Sequence, residues 1–161
     1  TGISQTLSPQ ALVSEVHFCY TAFDAIMEKN GLEKIKTIGD AYLAVSGMPH
    51  SNTDHAIHAV QAAKEIIDFI AKRKASGGLF DIRIGLNSGP VVAGIVGVKK
   101  FAYDIWGDTV NTAARMEQNS EMGKINISGA THELVKNHFN CLYRGRIEAK
   151  NKGEIDMYFV E

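Results

Sequence analysis

Apolar side chains recur every three or four residues over two long stretches of the chain, which is the spacing of one face of a helix. The first stretch opens at Ser8-Pro9, a pair typical of a helix N-cap and first turn, and it ends at Asn30-Gly31. The second opens at Thr53-Asp54 and ends at Gly77-Gly78. The pattern therefore predicts two long amphipathic helices, each with an apolar face turned toward a core.

Shorter runs rich in β-branched and aromatic residues predict the strands. Lys34–Thr37 and Ala41–Val45 enclose Gly39-Asp40, a combination that predicts a hairpin with Asp40 at its tip. The other predicted elements are strands at 80–86, 91–96 and 103–105, a helix carrying Asn111 and Arg115, a strand at 124–128, a helix at 131–137, and a closing strand pair at 141–149 and 155–160.

The order of these elements indicates the fold class. Helix, hairpin, helix and strand in succession make a ferredoxin-like βαββαβ core without its first strand, which would precede Thr1, because the chain opens as a loop. The later elements form a C-terminal β/α extension. With 161 residues, 45% of them apolar, the chain can bury one core. The sequence therefore predicts a single α/β (α+β) domain over residues 1–161.

Composition excludes several classes of partner. No apolar run approaches the roughly 18 residues of a membrane span, so direct insertion into a membrane is not expected. A net charge of -1 gives no electrostatic footprint for nucleic acid. Cys19 and Cys141 belong to no CxxC motif, which favours free thiols in a reducing compartment such as the cytoplasm. Any phosphate chemistry must therefore come from individually placed Lys and Arg side chains.

Asn111 and Arg115 stand four residues apart in a run typical of a short helix. One turn of helix places their carboxamide and guanidinium on a single face. A guanidinium is a rigid fork of donors that suits a multiply charged ligand such as a phosphate. For the pair taken alone, a solvated arginine is the commoner case, so the spacing by itself does not establish a phosphate site.

Four motifs accompany this pair. They are Lys-x-x-Gly-Asp at Lys36–Asp40, Gly-x-x-x-Ala-Gly-x-x-Gly at Gly89–Gly97, Asp-x-x-Gly-Asp-x-Val-Asn at Asp104–Asn111, and Ala-Arg-Met at Ala114–Met116. With them the chain resembles the catalytic domain of the class III adenylyl and guanylyl cyclases, over nearly its whole length and in the order of that family. The resemblance implies the cyclase fold and a nucleoside triphosphate substrate.

The resemblance makes Asp40 a metal ligand, although Gly-Asp alone is ordinary turn chemistry. In the family the matching Asp is one of two carboxylates that bridge two Mg²⁺ or Mn²⁺ ions. The ions activate the ribose 3′-hydroxyl for attack on the α-phosphate, and pyrophosphate leaves. The other carboxylate would lie shortly before Thr1, which suggests an N-terminally truncated domain. Ile38 and Gly39 would lie against the triphosphate, and Thr1 would add a phosphate contact.

Lys36 and Asp104 match the two positions that select the base. Adenine presents an N6 donor and an N1 acceptor, whereas guanine presents an O6 acceptor and an N1 hydrogen, so an acidic acceptor beside a cationic donor complements adenine. In the family, adenylyl cyclases carry Lys and Asp (or Thr) here, and guanylyl cyclases typically carry Glu and Cys. Outside that pattern, Lys36 could belong to a solvated strand face shared with Lys34, and Asp104 could be a loop carboxylate.

The remaining site residues follow from the same resemblance. Asn111 would orient the ribose, Arg115 would stabilise charge that develops on the α-phosphate, and Lys150 would hold the terminal phosphates. Lys150 matches the first Lys of the family's Lys-Gly-Lys-Gly turn, in which Asn151 here replaces a Gly.

One copy of the domain is not expected to complete the site. In the family the metal-binding group comes from one domain, and the base-binding and transition-state groups come from the other. Because one chain carries both sets, a head-to-tail homodimer would form two equivalent sites. The sequence thus predicts an adenylyl cyclase that converts ATP to 3′,5′-cyclic AMP and pyrophosphate, as a cytosolic output domain. Two alternatives stay open: a guanylyl cyclase, or a catalytically silent module for dimerisation or regulation.

Overall fold

The computed structural model describes residues 2–3, 8–149 and 153–161 of the chain. The elements are, in chain order, β1 (Gly2–Ile3), α1 (Pro9–Lys29), β2 (Glu33–Ile38), β3 (Ala41–Val45), α2 (His55–Ala75), β4 (Phe80–Asp81), β5 (Ile84–Leu86), β6 (Val92–Val96), β7 (Ala102–Trp106), α3 (Asp108–Gln118), β8 (Ile125–Ser128), α4 (Gly129–Val135), β9 (Cys141–Ala149) and β10 (Gly153–Val160). They form two compact units, one of residues 1–84 with 121–124 and one of residues 85–120 with 125–161.

Both long helices of the first unit lie where the sequence predicts them. At the start of α1 the Ser8 hydroxyl accepts a hydrogen bond from the Ala11 N–H at 3.1 Å, and Pro9 occupies the first helical position. Each of the two helices is 21 residues long. None of the helices in the described part of the chain carries an unbroken stretch of side chains apolar enough to cross a bilayer.

The apolar faces of α1 and α2 form the core of the first unit together with β4 and the residue after it. Tyr42 and Ala44, on one face of β3, pack against this core from the hairpin. The buried core residues are Cys19, Tyr20, Phe23, Met27, Ala62, Ile66, Ile70, Phe80 and Ile82. One face of the β2–β3 hairpin is thereby fixed to the helices, and the other face is turned away from them.

Two features of the first unit depart from the prediction. The single strand predicted at 80–86 is divided into β4 and β5, because a loop from later in the chain pairs with the backbone between them: the Gly123 N–H donates to the Ile82 carbonyl at 2.8 Å, and the Ile84 N–H donates to the Lys124 carbonyl at 3.1 Å. The predicted opening loop is also wrong at Gly2–Ile3. These two residues form β1, which pairs antiparallel with β4.

The second unit combines a four-stranded sheet with the β6–β7 hairpin and two helices. The sheet order is β5-β8-β10-β9, in which β10 pairs antiparallel with both β8 and β9. Gly85, where β5 enters this unit, lies directly against α3: a Cβ at Gly85 would come within 2.0 Å of the Glu117 nitrogen. A glycine is therefore required where the backbone of α3 meets the sheet. Every element predicted after residue 90 is present within a few residues of its predicted bounds.

Candidate functional site

The hairpin tip, residues Ile38, Gly39 and Asp40, presents a carboxylate to solvent on a short turn. Ile38 pairs with Ala41 across the hairpin, so Gly39 and Asp40 are its two loop residues. Gly39 has φ +59, in the left-handed region that a glycine adopts without steric cost. Asp40 is exposed, and Ile38 is 63% exposed. The two-residue turn thus places Asp40 where it is exposed to solvent.

A β-bulge in β2 separates Lys36 from Lys34. Lys34 lies opposite Ala44, and Lys36 lies opposite Leu43, so one extra residue is inserted between them. Because consecutive residues of β3 point to opposite faces, the two lysines also point to opposite faces. The interpretation of Lys34 and Lys36 as one solvated strand face is therefore wrong. Lys36, half-buried, lies on the face turned away from α1 and α2.

Two tyrosines pack beneath the hairpin and differ in how their hydroxyls are satisfied. The Tyr42 hydroxyl donates to Asp24 Oδ1 at 2.6 Å, and Lys34 Nζ lies 3.1 Å from the same carboxylate oxygen. The Tyr20 ring lies 5.3 Å from the Tyr42 ring, but its buried hydroxyl has no hydrogen-bond partner among the described residues. Burial raises the pKa of Tyr20 to about 12, and the negative charge of Asp40 adds to that rise.

The described residues offer one carboxylate, rather than a complete cage, for the metal ions that the fold implies. No group of three His, Cys, Asp or Glu side chains in the described part of the chain is arranged to hold an ion. Mg²⁺ is usually held by one or two carboxylates together with water and substrate phosphates. Asp40, exposed at the hairpin tip, fits the role of one such ligand.

In the second unit, Asp104 lies on β7 and is only 9% exposed. Its Oδ1 accepts a hydrogen bond from the Ile105 N–H at 2.8 Å. Gly94 is its partner across the β6–β7 hairpin. The interpretation of Asp104 as a loop carboxylate is therefore wrong, since it is a nearly buried acceptor on a strand.

Helix α3 divides its side chains between core and solvent as the sequence predicts. Asn111 and Arg115 lie one turn apart and are exposed, whereas Thr112 and Met116 are buried. Arg115 Nη2 donates a short hydrogen bond to the carbonyl of Glu148, near the end of β9. That bond ties the guanidinium to the strand that leads into Lys150. Lys150 itself and Thr1, also predicted as site residues, lie outside the described residues.

The second unit also contains polar groups that the sequence did not single out. Asn87, just after β5, bonds to the first turn of α3 and to Ser128 at the end of β8. The sequence predicts only a turn at Asn87-Ser88-Gly89-Pro90, and that pattern does not indicate which residues Asn87 contacts. The structure thus supports α3 from two sides, at Gly85 and at Asn87.

Comparisons with known proteins agree with this arrangement. The model of the adenylate and guanylate cyclase catalytic domain family matches residues 1–161. An adenylate cyclase of Mycobacterium bovis is 38% identical over an alignment 161 positions long, which covers 99% of this chain and 36% of that protein. The receptor-type guanylate cyclase gcy-13 of Caenorhabditis elegans is also 38% identical, over 99% of this chain and 16% of its own length.

Among solved structures, the catalytic core of a rhodopsin-guanylyl cyclase with converted specificity, in complex with ATPαS, superposes with a TM-score of 0.91. It is 43% identical, and the match covers 98% of this chain and 86% of that one. The chain spans about a third of the bacterial relative and about a sixth of the nematode one. The likeness therefore concerns a catalytic domain rather than whole proteins.

Proposed function

The chain belongs to the adenylate and guanylate cyclase catalytic domain family, and on that premise we propose that it is an adenylyl cyclase. It converts ATP to 3′,5′-cyclic AMP and pyrophosphate at a site to which two copies of the domain contribute. Overall likeness does not choose the base, because the mycobacterial adenylate cyclase and the nematode guanylate cyclase are both 38% identical to the chain. The choice rests on the residues that would meet the purine.

The observation that carries the proposal is the nearly buried carboxylate of Asp104. A carboxylate at the 6-position of the purine accepts from the N6 amino group of adenine, whereas it would face the O6 acceptor of guanine. Lys36, which the bulge turns away from the helices, donates to adenine N1. The same lysine would oppose the N1 hydrogen of guanine. The rhodopsin-guanylyl cyclase core with converted specificity is in complex with ATPαS, so this fold can accept an adenine nucleotide.

The exposed groups of α3 act on the sugar and phosphates. Asn111 orients the ribose, and Arg115 donates to the α-phosphate oxygens as negative charge grows there. The hydrogen bond from Arg115 to the Glu148 carbonyl holds one edge of the guanidinium, so the fork is ordered before substrate binds. Lys150 and Thr1 complete the phosphate contacts, with the backbone of Ile38 and Gly39 alongside.

Asp40 contributes a ligand for Mg²⁺ or Mn²⁺, two ions per site. When bound, the ions would supply the charge neutralisation and hydroxyl activation that phosphoryl chemistry requires. The protein's own part is to hold the Asp40 carboxylate on an exposed two-residue turn, where a second carboxylate and the triphosphate can reach the same ions.

A second copy of the chain is the partner that the apolar surface of β6–β7 suits best. Large side chains on the two strands of this hairpin and in the 97–101 loop between them are exposed, which is unusual for a surface without a partner. They are Val92, Ile95, Val96, Val98, Phe101 and Trp106. A head-to-tail homodimer would cover this surface and give two equivalent sites. Cys19 and Cys141 are free thiols, which is consistent with a cytosolic location.

The test is the turnover of ATP and GTP by the intact protein with Mn²⁺ or Mg²⁺. The proposal predicts cyclic AMP as the main product, with kcat/KM for ATP at least about a hundredfold above that for GTP. A preference for GTP would establish the guanylyl cyclase alternative instead. No cyclic nucleotide from either substrate, by a protein shown to be dimeric, would establish the catalytically silent module.

A further inference from the structure

The 87–90 turn, residues Asn87, Ser88, Gly89 and Pro90, connects the end of β5 to the start of β6 and lies against the first turn of α3. We infer that Asn87 is a positioning residue for the reaction, which acts by fixing the end of α3 that carries Asn111. This inference rests on the proposed function, because it assigns a role within the same site. It concerns only residues of the second unit.

Both the nitrogen and the oxygen of the Asn87 carboxamide form hydrogen bonds, and their partners lie on different elements. Its Nδ2 donates to the Thr109 carbonyl in the first turn of α3 at 3.1 Å. Its Oδ1 accepts from the Ser128 hydroxyl at 2.6 Å, and Ser128 is 1% exposed. The carboxamide is therefore a bridge from a buried strand end to the helix.

A second bond closes the turn around the same residue of α3. The Thr109 hydroxyl donates to the Pro90 carbonyl at 2.6 Å. Gly89 leaves room for this approach, since a Cβ there would lie 2.7 Å from Thr109 Oγ1. Both the carbonyl and the hydroxyl of Thr109 are thus held by the 87–90 turn, two residues before Asn111.

Ser88 also forms a side-chain hydrogen bond, but its partner lies on α4 instead of α3. Its hydroxyl lies 2.8 Å from the hydroxyl of Thr131, which is on α4 and 1% exposed. Ser88 therefore anchors the turn to the unit's interior, as Asn87 does, but its side-chain hydrogen bond is to α4 rather than to α3. Substitution of Ser88 therefore removes a bond that supports the turn, whereas substitution of Asn87 also removes a bond to α3.

The position of α3 matters for the reaction because this helix carries two of the proposed site residues. Asn111 and Arg115 are exposed, so the path of the helix backbone decides where they meet the nucleotide. A displacement of reacting groups by about 1 Å can cost on the order of a hundredfold in rate. Because α3 is fixed at Glu117 by Gly85, loss of the Asn87 bridge would release chiefly its N-terminal end.

The experiment compares Asn87→Asp, Asn87→Ala and Ser88→Ala in the intact protein. Asn87→Asp keeps the shape and the acceptor for Ser128, but it replaces the donor with an oxygen that faces the Thr109 carbonyl. We expect both Asn87 variants to lower kcat by about 10- to 100-fold while KM for ATP changes less than about threefold. Ser88→Ala should lower the melting temperature by about as much as the Asn87 variants do. It should leave kcat within about twofold of the wild-type value.

A readout independent of turnover accompanies these rates. Amide hydrogen exchange in the first turn of α3 should be faster in the Asn87 variants and unchanged in Ser88→Ala, whether or not nucleotide is present. Equal kcat in wild type and Asn87→Asp would overturn the inference and leave the cyclase assignment intact. A wild type without turnover would overturn the proposed function, and the exchange data would still decide whether Asn87 orders α3.

Discussion

The hairpin tip and the start of α3 present their functional groups by different physical means. At the tip, a two-residue turn and apolar packing beneath β3 hold the exposed carboxylate of Asp40. At α3, hydrogen bonds from the 87–90 turn and the close approach at Gly85 hold the helix that carries Asn111. Substitution of Asp40 at the tip should therefore change chemistry and leave stability unaltered, whereas substitution of Asn87 beside α3 should change both.

The largest effect is expected at the tip. Asp40→Ala should abolish metal-dependent turnover, a fall in kcat of at least about a thousandfold, because a ligand to both ions is lost. The free energy of unfolding should stay within about 0.5 kcal/mol of wild type, since Asp40 is an exposed turn residue. Steady-state kinetics and urea denaturation measure the two quantities. Retention of more than a tenth of the activity would remove Asp40 from the site.

Arg115 should rank next. Arg115→Ala is expected to lower kcat by about 10²- to 10³-fold, because a donor placed for the transition state is lost. Arg115→Lys should recover little of this, since a lysine has no planar fork and cannot reproduce the bond to Glu148 together with a phosphate contact. A change confined to KM, with kcat preserved in Arg115→Ala, would mean that Arg115 only binds the ground state.

The base preference should respond to a paired substitution, with one change on β2 and one on β7. Lys36→Glu with Asp104→Cys should shift the ratio of kcat/KM for ATP and GTP toward GTP by about a hundredfold, because the donor and acceptor positions are exchanged for those that suit guanine. Each single variant serves as a control, with an expected loss on ATP and little gain on GTP. An unchanged ratio in the double variant would exclude the pair from base selection.

The smallest effect should separate the two tyrosines beneath the tip. Tyr42→Phe should lower the free energy of unfolding by about 1 kcal/mol, because its hydroxyl donates to Asp24. Tyr20→Phe should leave stability unchanged or raise it by up to about 1 kcal/mol, because the hydroxyl it removes is buried without a partner among the described residues. Urea denaturation of both variants makes the comparison, and the reverse order would contradict this description of the core.

Features set by neighbouring residues could be predicted from the sequence. The Ser8-Pro9 start of α1 and the Gly39-Asp40 turn depend on local backbone preferences, and both formed as predicted. The exposed pair Asn111 and Arg115 follows from helical spacing alone.

Features set by distant parts of the chain could not be predicted in this way. The bulge before Lys36 depends on the register between two strands, and the break after β4 depends on a loop near Gly123. The burial of Asp104 and the bonds of Asn87 likewise depend on tertiary neighbours, which no local pattern specifies. The sequence can name Asp104 and predict the strand that carries it, but only the structure shows how little of the residue is exposed.

The most direct test of the account is complementation between two inactive variants. Asp40→Ala and Arg115→Ala, each inactive alone, should regain activity when mixed in equal amounts, because half of the dimers are then mixed and one of their two sites carries both intact residues. The expected recovery is about a quarter of the wild-type rate for freely exchanging subunits. A mixture as inactive as its components, with subunit exchange demonstrated, would contradict a site shared between two copies of the chain.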